Sequence, residues 1–346
     1  MARRLLLTFG LAMVLSAIGA AAGTPTSVTA ADWLKPRLVD IGAGRRLNFA
    51  CIGEGSPTVV FEQGGEGAIA NWDKVQPAVS AMTRACFYDR AGFGFSDPPG
   101  RPVTAINVTD DLHLLLSETG VKGPIVLVGH SIGGFYATTY ADRFPSEVAG
   151  MVLVDPGFSG QFNPKPETRG IEQANIRRGE EQLRRCATLA LHGRLSEDRP
   201  RGCFGIEPDR PAEERAYLLH AFTHPGWYEA ERSQSRNFFP HGEGDSLSMR
   251  QEEALSHPFG HMPLIVLTSG IPPRDPVDTD DSWRWKSALW KRGHEALAAR
   301  SQDGKALVVA ESHHFIQRDR PQAVIDAVEE VIKAVRRGQA TDGPLR

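Results

Sequence analysis

Four short, uninterrupted apolar runs constrain the fold of this chain more than any other feature. They are Pro124-Ile125-Val126-Leu127-Val128, Gly150-Met151-Val152-Leu153-Val154-Asp155, Pro263-Leu264-Ile265-Val266-Leu267-Thr268 and Ala306-Leu307-Val308-Val309-Ala310. A strand that is apolar at every position suits a parallel sheet covered on both faces. Between the runs the spacing is helical. Val108, Leu112, Leu115 and Leu116 predict one helix, and another ends near Arg143, before Pro145. A Trp-rich helix is expected over 281–300, and a last one from Pro321 with Val324, Val328, Val331 and Val335 as its apolar stripe. Earlier strands are expected at 46–52, 58–62 and 85–89, with a helix over 72–82, while residues 23–36 read as a loose segment. Strand and helix alternate, so the chain is expected to be α/β, with a mostly parallel sheet and helices on both faces. Its 346 residues are enough for a sizeable core.

Residues 157–258 break the alternation. They hold no long apolar strand and are rich in Arg, Glu and Pro, with helical stretches near 171–190 and 211–233. A stretch of this length is too long for a structureless loop. It is expected to be a helical cap inserted over one end of a core made of residues 33–156 and 259–340.

The first residues read as a secretory signal. Arg3 and Arg4 precede an apolar run over 5–18, and Ala20-Ala21-Ala22-Gly23 offers a small-residue cleavage site. Residues 1–22 are assigned as the signal peptide, with cleavage after Ala22 and Ala30 as a second candidate. An uncleaved anchor is the alternative, although the run barely reaches the ~20 residues that a span needs. The paired arginines leave the export route open. No later run is long enough to span a bilayer, so the mature chain is expected to be periplasmic or secreted. Four cysteines in an oxidising compartment suggest two disulfides. Nearness in sequence favours Cys51–Cys86 and Cys186–Cys203. Without export, four buried thiols are the expectation.

Charge narrows the partners. Lys+Arg is 39 against Asp+Glu 42, a net charge of −3, and there is no long basic stripe. That balance argues against a nucleic-acid partner. No Cys-x-x-Cys or His-rich spacing suggests zinc. Gly64-Gly65-Glu66-Gly67 lacks the Gly-Lys-Ser/Thr ending of a phosphate loop.

The chemistry centres on Gly129-His130-Ser131-Ile132-Gly133. This G-x-S-x-G lies between a buried strand and a helix, the context of a nucleophile elbow. Such a turn lifts the Ser131 hydroxyl above the sheet and points the Ile132 amide into the same space. A serine hydroxyl needs a base. Glu311-Ser312-His313-His314-Phe315-Ile316 follows the last strand, and His314 is preferred over His313. His130 is expected to be polar support. His113, His220, His224 and His241 have no comparable placement.

Phe61-Glu62-Gln63-Gly64-Gly65, Tyr88-Asp89-Arg90-Ala91-Gly92-Phe93-Gly94-Phe95-Ser96-Asp97, the elbow and Ser312-His313-His314-Phe315-Ile316 occur in the order of the α/β-hydrolase superfamily. The chain resembles that superfamily over most of residues 45–156 and 260–336. The resemblance implies a sheet of about eight strands with a cap after the sixth. It also implies oxyanion donors at the backbone amides of Gly65 and Ile132, although Gln63-Gly64 stands where the family has His-Gly. The Tyr88–Asp97 loop is by resemblance structural. The superfamily most often places its acid after the strand at 264–268, which points to Asp275; some members resemble this chain in offering an earlier one, Asp155. Asp155 is preferred narrowly for its short tether to the strand, and Asp275 stays a near-equal alternative. A serine nucleophile argues against the dehalogenase and epoxide hydrolase branches, which by resemblance use aspartate.

The expected function is an exported serine hydrolase. It would cleave the carboxylic ester, or less readily the amide or thioester, of a small acyl substrate through Ser131, His314 and an aspartate, with no metal or organic cofactor. A prolyl-aminopeptidase-like hydrolase is the alternative, and would need an acidic cap residue such as Glu172, Glu180 or Glu181. A non-catalytic binding protein on the same fold is the third reading. Leu218, Leu219, Phe222, Trp227, Tyr228, Phe238 and Phe239 either line a pocket or form the cap's own core.

Overall fold

The computed structural model describes residues 33–65, 67–121, 123–162, 166–241, 246–274 and 278–341. The expected signal peptide, both cleavage candidates and Asp275 lie outside the described residues.

Eight strands form one sheet: β1 (Leu38–Asp40), β2 (Arg46–Ile52), β3 (Val59–Glu62), β4 (Ala85–Tyr88), β5 (Ile125–His130), β6 (Val148–Val154), β7 (Leu264–Ser269) and β8 (Gly304–Val309). Their order is β1-β2-β4-β3-β5-β6-β7-β8. Only β1/β2 and β2/β4 pair antiparallel; the other pairs are parallel.

The uninterrupted apolar runs are explained by cover on both faces. Val126, Val128, Val152, Val154, Ile265 and Leu267 pack with the closing helix Pro321–Thr341 through Val324, Val328 and Val331. Leu127, Met151, Leu153 and Val266 face the other way, against Leu112 and Leu115 of Ala105–Glu118 and Tyr140 and Ala141 of Ile132–Arg143. The run at 304–309 is different. β8 is the edge of the sheet, and Leu307 and Val308 are 44% and 57% exposed. A continuous apolar run shows that a strand suits burial; it does not say which strand ends the sheet.

Other departures have local causes. Residues 33–36 are not loose: Trp33 and Leu34 are buried, and the Trp33 ring meets Phe87 edge-on at 4.7 Å. The helix expected over 72–82 is a 3-10 turn, Ile69–Trp72, followed by a helix, Gln76–Met82. The stretch 211–233 is two helices, Ala212–Thr223 and Pro225–Phe238. Proline pushes His224 out of the helical region (φ −80°, ψ 127°), and the His224 imidazole then caps the Gly226 amide. Pro166–Leu191 and Leu247–Leu255 complete the helices between β6 and β7. Among the described residues no helix is long and apolar enough to cross a membrane.

Both cysteine pairs favoured by nearness are bonded. Cys51 and Cys86 occupy directly paired positions of β2 and β4, and Cys186 and Cys203 tie Pro166–Leu191 to the loop after it.

Candidate active site

Parallel strands gather their carboxyl ends at one edge of the sheet, where the loops after β3, β5, β6 and β8 meet. Those loops carry Gly64-Gly65, Ser131, Asp155 and His314 respectively.

Ser131 sits between β5 and the helix Ile132–Arg143 with φ 56° and ψ −126°, a conformation strained for any residue with a Cβ. The surroundings hold it there. Its amide donates to the Val154 carbonyl at 3.0 Å, and its own carbonyl accepts from Gly134 at 2.9 Å and Gly157 at 2.8 Å. The turn needs the flanking glycines. A Cβ on Gly129 would lie 2.6 Å from the Gly133 carbonyl oxygen, and one on Gly133 would lie 2.3 Å from that of Gln63.

The Ser131 hydroxyl donates to His314 Nε2 at 2.8 Å. His314 Nδ1–H donates to Asp155 Oδ2 at 2.7 Å. A carboxylate can only accept, so the proton sits on Nδ1 and the Nε2 lone pair faces the serine. His314 is in turn fixed from behind, because His130 Nε2–H donates to its carbonyl at 2.9 Å. Burial, then the neighbouring His314, push the His130 pKa down to about 3, so its ring is a neutral support. His313 turns outward to Asp319 at 3.1 Å and is 69% exposed.

Asp155 is fully buried at φ 45°. Its Oδ1 accepts from the Ser269 amide at 2.8 Å and from Trp290 Nε1 at 3.0 Å. Its Oδ2 accepts from Ser269 Oγ at 3.1 Å as well as from His314. Burial alone would raise its pKa. The His314 bond and charge, followed by His294 and the Ser269 amide, outweigh that and hold the carboxyl below its ordinary range.

The loop after β3 completes the site. A Cβ on Gly64 would lie 2.6 Å from His130 Nδ1 and 3.5 Å from Ser131 Cβ, so only glycine lets the loop lie this close. Among the described residues the amides of Gly65 and Ile132 have no acceptor; Ile132 opens its helix, where such N–H groups are left over. Arg90 props this loop. Its buried guanidinium donates to the carbonyls of Gln63 and Gly64 at 2.6 Å each, to Glu62 at 2.7 Å and to Gln234 at 3.1 Å. Gln63 itself turns away and donates to the Tyr88 carbonyl. Asp89 accepts from Asn48, Phe95 and Tyr217, and Asp97 pairs with Arg46. The 88–97 loop is thus a scaffold, as the resemblance implied.

No local pattern points to Ser269, Trp290, His294 or Gln234, because each reaches the site from a distant element. The acidic residues named on the helical insertion do not face it. Glu180 pairs with Arg236, Glu172 with Lys286, and Glu181 is exposed. Leu218, Phe222 and Trp227 instead line an open cavity of about 420 Å³ beside Phe315, together with Phe204, Arg210 and Arg318. Tyr228 is buried among the insertion's own side chains, whereas Phe238 packs against Ile132, Phe135 and Tyr136 of the helix after the elbow.

Comparison with known proteins agrees with this architecture. Residues 57–185 match the family model of the alpha/beta hydrolase fold. A stretch of 94 residues is 46% identical to an uncharacterized protein of Schizosaccharomyces pombe, covering 25% of this chain and 18% of that one. Another of 101 residues is 32% identical to (lyso)-N-acylphosphatidylethanolamine lipase of Homo sapiens, covering 28% and 30%. The chain spans less than half the length of the curated relatives it matches. A thermophilic esterase from Thermogutta terrifontis superposes with a TM-score of 0.57 at 24% identity, covering 87% of this chain and 99% of that one. A putative ancestral haloalkane dehalogenase gives 0.63 at 18% identity, with 87% and 99% covered. At such identities a likeness speaks for the fold alone. Sheet order, elbow and matched residues together give the chain the α/β-hydrolase fold.

Proposed function

We propose that this chain is an exported serine hydrolase that cleaves a carboxylic ester of a small acyl substrate. The observation that carries the reading is the hydrogen-bonded series from Ser131 Oγ through His314 to Asp155, at 2.8 and 2.7 Å, beside two amides that have no acceptor among the described residues. Ser131 Oγ attacks the acyl carbonyl while its proton passes to His314 Nε2. The amides of Gly65 and Ile132 receive the developing oxyanion, each contributing about 3 kcal/mol to lowering the barrier. His314 returns the proton to the leaving alcohol. Water, deprotonated by the same imidazole, then releases the acid from Ser131. Asp155 holds the Nδ1 tautomer and offsets the charge of the imidazolium.

Residues 157–258 act as the cap, and the cavity beneath them holds the part of the substrate distant from the ester. Its wall sets the aromatic Phe204, Phe222, Trp227 and Phe315 beside the charged Lys74, Glu207, Arg210, Arg318 and Asp319, which suits a group with both apolar and polar parts. The two disulfides support an oxidising destination, in keeping with the signal expected over residues 1–22. The activity for which the human (lyso)-N-acylphosphatidylethanolamine lipase is named belongs to the same class. The test is a series of p-nitrophenyl esters with acyl groups from short to long, run with the parent and with Ser131→Ala. The parent should turn over and the variant should lose on the order of 10⁶. Equal rates would remove Ser131 from the reaction.

A further inference from the structure

Asp155 is held by more donors than orienting an imidazole requires, and one comes from a helix that carries none of Ser131, Asp155 and His314. Trp290 lies on the helix Asp280–Ala298, which packs beside β7. Its indole N–H reaches Asp155 Oδ1 at 3.0 Å. The ring stands between Phe158 at 5.4 Å, His294 at 5.0 Å and His314 at 6.4 Å. His294 is locked in turn: its Nε2–H donates to the Pro156 carbonyl at 2.9 Å and its Nδ1 accepts from Thr268 Oγ1 at 2.7 Å.

We propose that Trp290 is a positioning residue for the hydrolytic reaction, its indole N–H and that of the Ser269 amide together reserving Asp155 Oδ1 so that only Oδ2 is offered to His314. The inference rests on the triad reading above. A carboxylate has two equivalent oxygens and turns freely about its last bond unless they are made different. Here Oδ1 accepts from two N–H donors and Oδ2 from His314 and the Ser269 hydroxyl, so turning the carboxylate out of this plane would weaken all four bonds at once. Ser269 closes β7, the strand after which the superfamily most often places its acid. In this chain that strand end supplies donors to an acid standing one strand earlier.

A donor on Oδ1 also draws charge from the carboxylate and tempers its pull on the His314 proton. Removing it leaves the carboxylate a stronger base and the imidazolium harder to deprotonate. The other titratable groups facing the pair are His130 from β5 and His294 beside Trp290. Both have pKa values depressed, first by burial.

The test is Trp290→Phe, which keeps an aromatic ring and deletes the N–H, set against Trp290→His, which keeps an N–H on a smaller ring. Two readouts are needed. The first is the pH profile of kcat and KM on a p-nitrophenyl ester. Trp290→Phe should lower kcat about tenfold with KM unchanged and move the acidic limb to higher pH, and Trp290→His should recover part of the loss. The second is the low-field proton resonance of the His314 Nδ1–H bond in the free protein, which should move in Trp290→Phe. That signal needs no substrate, so it tests the contact even if the ester assays fail. A merely structural tryptophan would lower the melting temperature in both variants and leave pH limb and resonance in place; that result, or a Trp290→Phe protein with the parent's kcat, overturns the proposal.

Discussion

Replacing Asp155 with asparagine changes one atom of a fully buried side chain, and the geometry dictates how that change propagates. Oδ1 accepts from two N–H groups, Ser269 and Trp290, and the amide oxygen of asparagine has to stay with them. The amide NH₂ therefore takes the place of Oδ2, 2.7 Å from His314 Nδ1. Two donors cannot face each other there, so Nδ1 gives up its proton and Nε2 takes one. The N–H now points at Ser131 Oγ, and the base can no longer accept from the nucleophile. An inverted tautomer of this kind costs about 10⁴ in turnover, or ~5.5 kcal/mol of barrier. The assay is kcat/KM on a p-nitrophenyl ester at neutral pH, with circular dichroism and a melting curve to confirm folding. Asp275→Asn, at the other aspartate that the sequence offers, should stay close to the parent. A folded Asp155→Asn protein within tenfold of parent activity, with the loss appearing in Asp275→Asn instead, would refute the reasoning.

Two further outcomes are expected, both measured by urea unfolding. Removing Cys51–Cys86 as a double alanine variant should cost about 4 kcal/mol and removing Cys186–Cys203 about 3, from loops of 35 and 17 residues on the chain-entropy account; unchanged midpoints would contradict it. His130, whose folded pKa is lowered from 6.5 to about 3, stays neutral while the unfolded chain takes up a proton. The unfolded state binds more protons between those values, so stability should fall as pH drops through that window, by up to about 1.4 kcal/mol per unit from this residue. His130→Gln should flatten the acid side of the profile, and an unaltered slope would show that His130 is not the group responsible.

The central strands were readable because double cover demands apolar residues at every position, and β5, β6 and β7 meet that demand. β8 satisfies the same pattern at an open edge, a distinction that no residue in the run encodes. Ser131 was readable from the elbow, because glycine spacing reports backbone crowding directly. His314 followed from its place after the last strand. The acid was not decided by the sequence, since Asp155 and Asp275 both follow a strand and chain order cannot measure which reaches an imidazole. The structure brings Asp155 there. The supports were out of reach for a related reason: Arg90, Ser269 and Trp290 meet the site across long stretches of chain, and a solitary arginine, serine or tryptophan looks the same whether it props a loop or faces solvent. Trp33 shows the opposite limit, since a tryptophan inside the segment 23–36, read as loose, is buried in the core.

The central claim, that Ser131 is an activated nucleophile, is tested most directly by treating the folded protein with a fluorophosphonate and mapping the adduct by mass. Attack by Ser131 Oγ expels fluoride and leaves a phosphonyl ester on that oxygen. The account predicts one adduct per chain, located on Ser131, absent in Ser131→Ala and formed far more slowly in His314→Ala than in His313→Ala. A folded protein that takes no label, or that carries it on a residue other than Ser131, would contradict the account.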